Sequence, residues 1–214
     1  MTTMTCCCCT DGGPLPLDLA PACDSDLPSA PAPGGHAFTV GHSTRPIDDF
    51  IALLSAHGIS QLVDVRTVPR SRHNPQFETR ALAQSLAQAR IGYALAPGLG
   101  GFRRTSPESP NSAWRNLSFR GYADYMLTPD FHESLVAVIE LMKTDRVALM
   151  CAEAVPWRCH RSLIADALWV RGHVACEIAS LTRLQPHKLT PFARVEGETI
   201  TYPPPDEAVT SPGG

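Results

Sequence analysis

Lysine is nearly absent from this sequence. Only Lys143 and Lys188 occur among 214 residues, so arginine carries almost all of the positive charge. No apolar run approaches the ~20 residues that a membrane helix needs. The start lacks a basic stretch followed by an apolar one, so no signal peptide is expected. No internal repeat is present, and residues 1–35 contain neither Lys nor Arg. These absences argue against a membrane protein, a secreted protein or a repeat array, and make a reducing cytoplasm the expected location.

Hydrophobic residues make up 43% and charged residues 18%, which suits one globular domain with a sizeable core. The composition is uneven. Residues 1–35 are rich in Pro, Gly, Ser and Cys, and the end reads PPPDEAVTSPGG. Such segments bury too little apolar surface to offset their ordering entropy. We therefore expect an unstructured leader over 1–35, a domain over 36–202 and an unstructured tail over 203–214. All 18 Lys and Arg but only 15 of the 21 acidic residues fall within 36–202, so that part carries +3 although the whole chain is −3.

Arginine in such excess has two readings. One is GC-rich codon usage. The other is selection for bidentate contacts to phosphate or carboxylate. Clustering of Arg beside other polar groups is what separates them. Of eight cysteines, five lie in the leader, Cys6–Cys9 consecutively and Cys23, which is not a disulfide framework. That run reads as part of an unstructured or untranslated leader, ahead of metal binding or lipid attachment.

Along the chain, strand and helix patterns alternate. Strands are expected at His36–Ser43, Gln61–Arg66, Ile91–Leu95, Arg146–Cys151 and Val174–Ala179. Helices are expected at Pro46–His57, Glu78–Arg90, Arg120–Leu127, from Thr128 onward and at Ser162–Arg171. A long polar loop spans 97–119, and a hairpin is expected across Glu196-Gly197-Glu198. Strands separated by helices imply a single α/β domain, Rossmann-like, with a mainly parallel sheet covered on both faces.

Ligands of such sheets bind outside the carboxyl ends of strands. Three loops leave at that end, carrying His42 and Ser43, then Asp64, Arg66, Arg70 and Arg72, then Cys151 through Arg161. In the third loop Arg158 and Arg161 would reinforce the anion site of a helix start, and Cys151 and Cys159 near it would lose protons more readily. Small buried hydrophobes are the plainer reading of both cysteines. Cys151 and Arg158 stand one residue further apart than in a Cys-x5-Arg phosphatase loop, without its glycines. Cys151, Cys159 and His160 also offer a weak zinc or iron ligand pattern. Asp64, inside an apolar strand, needs a partner such as Arg66, Arg70 or Arg72. Glu153 is the favoured general acid/base, since a partly desolvated carboxylate at a cleft floor is pushed toward neutrality. His42 and His160 are candidate proton carriers. The loop Gly98–Arg103 would fold over a phosphate-bearing ligand through Arg103, although it matches neither a P-loop nor a dinucleotide fingerprint. Aromatics at 102, 114, 119, 122 and 125 beside Arg suit stacking on bases, or anchor the loop.

Several ordered motifs carry a resemblance: Gly41-His42-Ser43, Asp64-Val65-Arg66 with Pro69-Arg70-Ser71, Leu99-Gly100-Gly101 with Arg103, Phe119-Arg120-Gly121-Tyr122-Ala123, and Met150-Cys151-Ala152-Glu153 with Pro156 and Cys159-His160-Arg161. From about Thr39 to Pro186 the chain resembles the domain of unknown function (DUF) family 488. The resemblance implies a compact α/β domain found mainly in prokaryotes, and no assigned reaction. The residues themselves favour an enzyme acting on a phosphate-containing substrate, a nucleotide or nucleic acid. A hydrolytic or glycosyl-bond step would suit them. The alternatives are a non-catalytic nucleotide or nucleic-acid binding module and a Cys/His metal-site protein.

Overall fold

The structure is a computed structural model that describes residues 35–70 and 73–204. The expected leader over 1–35, all but the last residue of it, and the tail from 205 onward lie outside the described residues, as does Arg72.

Six strands form one sheet: β1 (His36–Gly41), β2 (Gln61–Asp64), β3 (Gly92–Leu95), β4 (Val147–Cys151), β5 (Val174–Ile178) and β6 (Leu184–Pro186). Their order is β3-β2-β4-β1-β5-β6. All neighbours pair in parallel except β6, which runs antiparallel to β5 at the edge. A separate hairpin joins β7 (Arg194–Glu196) to β8 (Thr199–Thr201), with Gly197 in the left-handed region its turn requires.

The helices are α1 (Ile47–Ala56), α2 (Thr79–Gln88), α3 (Leu117–Tyr125), α4 (Pro129–Leu141) and α5 (Arg161–Trp169). The period-2 alternation of the strands divides the core in two. On β4, Val147, Leu149 and Cys151 face Tyr122 of α3, Leu135 of α4 and Leu163 of α5. Ala148 and Met150 face the other way, toward Phe50 of α1 and Leu82 of α2. All five β4 residues are buried, as expected of a strand covered on both faces. Among the described residues, no helix is long and apolar enough to cross a membrane.

Several bounds depart from the sequence reading: β1 ends at Gly41, β2 at Asp64 and β5 at Ile178, each short of the expected strand. Helix α3 begins at Leu117, not Arg120, because the Asn116 side chain accepts the Ser118 N–H at 2.9 Å and caps it. Helix α5 begins at Arg161, one residue earlier than expected. The edge strand β6 was not anticipated: it is short and ends in Pro186, whose missing N–H is tolerated only at a sheet edge.

The long loop between β3 and α3 is held from within. Asp124 of α3 accepts from Thr105 Oγ1 at 3.1 Å, Ser106 N at 2.8 Å, Ser109 Oγ at 2.5 Å and Asn111 Nδ2 at 2.8 Å. Burial works against ionisation there, but these donors outweigh it and hold the Asp124 carboxyl below its ordinary value. The C-terminal segment is anchored in the same manner by fully buried Asp166, which accepts from Thr190 and from Tyr202 Oη and pairs with His187.

Candidate functional site

The β1, β2 and β4 loops leave the sheet side by side at its carboxyl edge. Backbone pairing continues past the strands: His42 N–H donates to the Cys151 carbonyl, Ser43 N–H to Ala152 and Val65 N–H to Met150, each at 3.0 Å. This close approach explains Gly41, where a Cβ would overlap the Glu153 carbonyl oxygen. Ser43 adopts a left-handed backbone, φ 50°, as the chain turns away from the sheet.

Between these loops and the segment Gly101–Phe119 lies a cavity of about 690 Å³. The first loop contributes His42, Ser43 and Thr44. The second contributes Arg66, Thr67, Val68 and Arg70. The third contributes Cys151, Glu153, Arg158, Cys159 and His160. Gly101 lets the long loop close over the site, since a Cβ there would press on the His160 ring.

The buried polar groups of the floor bind one another. Asp64, fully buried, accepts from Arg66 Nε at 2.8 Å, from Arg66 Nη2 at 2.5 Å and from Tyr93 Oη at 2.8 Å. Arg66 Nη2 also donates to the Phe77 carbonyl at 2.8 Å, and Nη1 lies 3.2 Å from His42 Nε2. One of the five guanidinium N–H groups is therefore left for a ligand. His42 stacks on Phe77 with ring centroids 4.1 Å apart, and its Nδ1 donates to the Ser43 carbonyl at 2.8 Å. Burial first, then the neighbouring Arg66 guanidinium, outweigh that carbonyl and bring the His42 pKa from 6.5 down to about 4. His42 is thus neutral at pH 7 with both ring nitrogens engaged. It orients Arg66 and is poorly placed to carry a proton to a ligand.

A second buried network lies beneath the third loop. Arg161 is fully buried, and its Nη1 donates to the Val40 carbonyl at 2.7 Å, to Cys151 Sγ at 3.0 Å and to the Glu153 carbonyl at 3.0 Å. Its Nη2 meets Glu177 Oε1 at 3.3 Å, and Glu177 Oε2 accepts from Thr39. The sulfurs of Cys151 and Cys159 lie 2.6 Å apart, each residue 3% exposed. The hydrogen bond with the Cys151 thiol, aided by His160 and Arg161, lowers the Cys159 thiol against the opposing effect of burial. Burial, and the neighbouring Cys159, push Cys151 up. The two sulfurs act as one acid that gives up its first proton early and its second with difficulty. His160 directs Nε2 at the Val65 carbonyl, 3.1 Å away, and leaves Nδ1 facing Cys159 Sγ at 3.6 Å.

Exposed groups form the rim. Arg70, Arg158 and Glu153 are exposed, and neither arginine has a carboxylate partner among the described residues. Phe102, 81% exposed, and half-buried Phe119 also line the cavity.

Nine of the residues selected from sequence therefore share one cavity: His42, Ser43, Arg66, Arg70, Cys151, Glu153, Arg158, Cys159 and His160. Three do not line it. Asp64 is sealed beneath Arg66. Arg161 is turned into the core, where it meets the buried acid Glu177 instead of an anion. Arg103 stands over the Tyr125 ring at 3.5 Å and donates to the Gly98 and Gly100 carbonyls, which secures its own loop. Arg103 borders a smaller adjoining cavity of about 230 Å³.

Two expectations about chemistry are also corrected. Glu153 is on the exposed rim, not in a desolvated floor, because its backbone, not its side chain, meets Cys151 and Arg161. The start of α5 is a poorer anion site than expected, since the Ser162 and Leu163 N–H groups already donate to the Cys159 and His160 carbonyls. Among the described residues, no three His, Cys, Asp or Glu side chains converge as metal ligands. Sulfurs 2.6 Å apart also lie closer than the roughly 3.8 Å separating two thiolates on a tetrahedral zinc with ~2.3 Å bonds.

Sequence reasoning passed over Thr67, Asn74, Asn116 and Ser118, which also line the cavity. Asn116-Leu117-Ser118 does carry a signal, the side-chain cap of a helix start. Glu177 was passed over as well, although a lone acid within an apolar strand asks for a buried cation.

Residues 46–168, more than half of the chain, match the family described as Domain of unknown function DUF488. The chain belongs to DUF488. The matched span is shorter than the 39–186 resemblance and starts after Gly41-His42-Ser43, so the first strand-end loop of this DUF488 chain is joined to the matched region by structure. No curated protein and no solved structure matches the chain.

Proposed function

We propose that this DUF488 chain is an enzyme acting on a phosphate-bearing substrate of nucleotide type. The observation that supports it most is the pairing of Arg70 and Arg158. They come from different loops, face one cavity and lack carboxylate partners among the described residues. Arginines free of ion pairs beside a cleft are suited to bidentate phosphate contacts. The remaining N–H of Arg66 adds a donor from the floor, and Ser43 adds a hydroxyl.

Phe102 and Phe119 on the same cavity supply apolar faces against which a base can stack. Glu153 serves as general acid/base from the rim, where a carboxylate near a bound phosphate ester or glycosidic bond can exchange a proton with it. His160, with Nε2 held by the Val65 carbonyl and Nδ1 in a longer contact of 3.6 Å with Cys159 Sγ, is the better placed second proton carrier. His42 is a positioning residue in this scheme, acting through Arg66.

The test uses purified full chain with a panel of nucleoside mono- and diphosphates, following products by mass spectrometry and binding by calorimetry. Glu153→Gln is expected to abolish turnover while leaving nucleotide affinity within about threefold, because it removes a carboxylate without removing an arginine contact. Binding by wild type without any turnover would favour a non-catalytic binding module. Absence of both would end the reading.

A further inference from the structure

The phosphate reading makes no use of the two sulfurs at the bottom of the cavity. They are in contact at 2.6 Å, both line an open cavity of about 690 Å³, and they come from the end of β4 and the turn before α5. A donor chain converges on them: Arg161 Nη1–H to Cys151 Sγ at 3.0 Å, with the Glu153 N–H on the same sulfur at 3.3 Å. The S–H hydrogen shared between the two sulfurs, which either can donate, continues that chain, in which each donor strengthens the next. A fully buried guanidinium beneath two touching thiols exceeds what a pair of small core hydrophobes requires.

We propose that Cys151 and Cys159 are a dithiol–disulfide couple, oxidised through this cavity by a small hydroperoxide. Cys159 is the attacking sulfur. Its thiolate takes the terminal oxygen of the hydroperoxide, the S–O bond forms as the O–O bond breaks, and Cys159 becomes a sulfenic acid. The proton Cys159 gave up, received by His160 Nδ1, neutralises the departing alkoxide or hydroxide. Cys151 then attacks the Cys159 sulfur, the S–S bond forms, the S–O bond breaks, and the hydroxyl leaves with the Cys151 proton as water. One dithiol and one hydroperoxide yield one disulfide, one alcohol (water, when the oxidant is hydrogen peroxide) and one water. A dithiol reductant reverses it. None of these steps uses the Glu153 carboxylate, Arg70 or Arg158; His160 alone is shared with the phosphate reading, and the cross-link is read with no phosphate-bearing ligand present.

The test treats reduced full-length protein with stoichiometric hydrogen peroxide, blocks the remaining thiols by alkylation and maps the cysteines by mass spectrometry after trypsin. Cleavage after Arg158 separates the two cysteines, so the disulfide is read as a cross-linked peptide pair lighter by two hydrogens than its reduced components. The expected result is that pair, lost on dithiothreitol treatment, with Cys176, equally buried but outside the cavity, still alkylated. Cys151→Ser is expected to stop at a Cys159 sulfenic acid trapped by dimedone, and Cys159→Ser to give neither product. Oxidation confined to Cys176 or to the leader cysteines, or unaltered thiols throughout, overturns the proposal. Oxidation of Cys151 at an undiminished rate in Cys159→Ser overturns it as well. The wild-type map decides the matter even if a variant does not fold, and Glu153→Gln is expected to form the cross-link as wild type does.

Discussion

The floor and the rim of the cavity carry the same residue types under opposite conditions. On the floor, Arg66 is bound to Asp64, Phe77 and His42, and Arg161 is bound to Glu177, Cys151 and two backbone carbonyls. On the rim, Arg70 and Arg158 face solvent with no carboxylate partner among the described residues. A buried ion must be paired because desolvation costs several kcal/mol per charge. The floor arginines are therefore committed to architecture, and the rim arginines are available to a ligand. An arginine-rich loop can hold both kinds a few residues apart, as Arg158 and Arg161 do.

The sharpest way to break this contrast is to remove a floor charge. Arg161→Met leaves Glu177 buried without its cation and is expected to cost about 3–5 kcal/mol, read from urea unfolding. A loss below about 1 kcal/mol would mean that Arg161 is not structural. The floor also has a pH signature. His42 binds its proton less readily in the folded chain than in the unfolded one, with a pKa lowered from 6.5 to about 4. As pH falls through that window the unfolded state takes up the proton first. Stability from this group is thus complete above about 6.5 and declines toward 4, on the order of 3 kcal/mol in all. Urea midpoints at pH 7.5 and 4.5 should converge in His42→Asn relative to wild type; an unchanged pH slope would refute the assignment.

Asp124→Ala strips four donors of their acceptor and is expected to cost about 2 kcal/mol, with faster amide exchange through residues 105–111. The rim gives the smallest effect on stability. Arg70→Ala and Arg158→Ala should each lie within about 0.5 kcal/mol of wild type. Each should nevertheless weaken nucleotide binding about tenfold, the worth of one charge-assisted hydrogen bond. Equal stability losses at rim and floor would erase the distinction between them.

The sheet and its helices were legible because apolar alternation and cap residues are local signals. The fully apolar β4, Pro129 opening α4 and the turn at Gly197 are examples. The departures came from information that is not local. Whether Arg161 turns toward a ligand or toward Glu177 depends on the register of β1, β4 and β5. Gly41 is needed only because the β4 loop crosses it. Arg103 reads as a ligand contact beside glycines, yet the carbonyls those glycines expose are what it binds. Convergence of the three strand-end loops followed from the parallel topology alone. The contact between Cys151 and Cys159 did not, since seven residues of loop separate them in sequence.

Amide chemical shifts in a titration with a nucleoside monophosphate test most directly whether the rim arginines receive a ligand. Saturable shifts centred on Arg70, Gly101, Phe102 and Arg158, lost in the Arg70→Ala/Arg158→Ala double variant, are the predicted result. Shifts absent at these residues, or undiminished in the double variant, would contradict it.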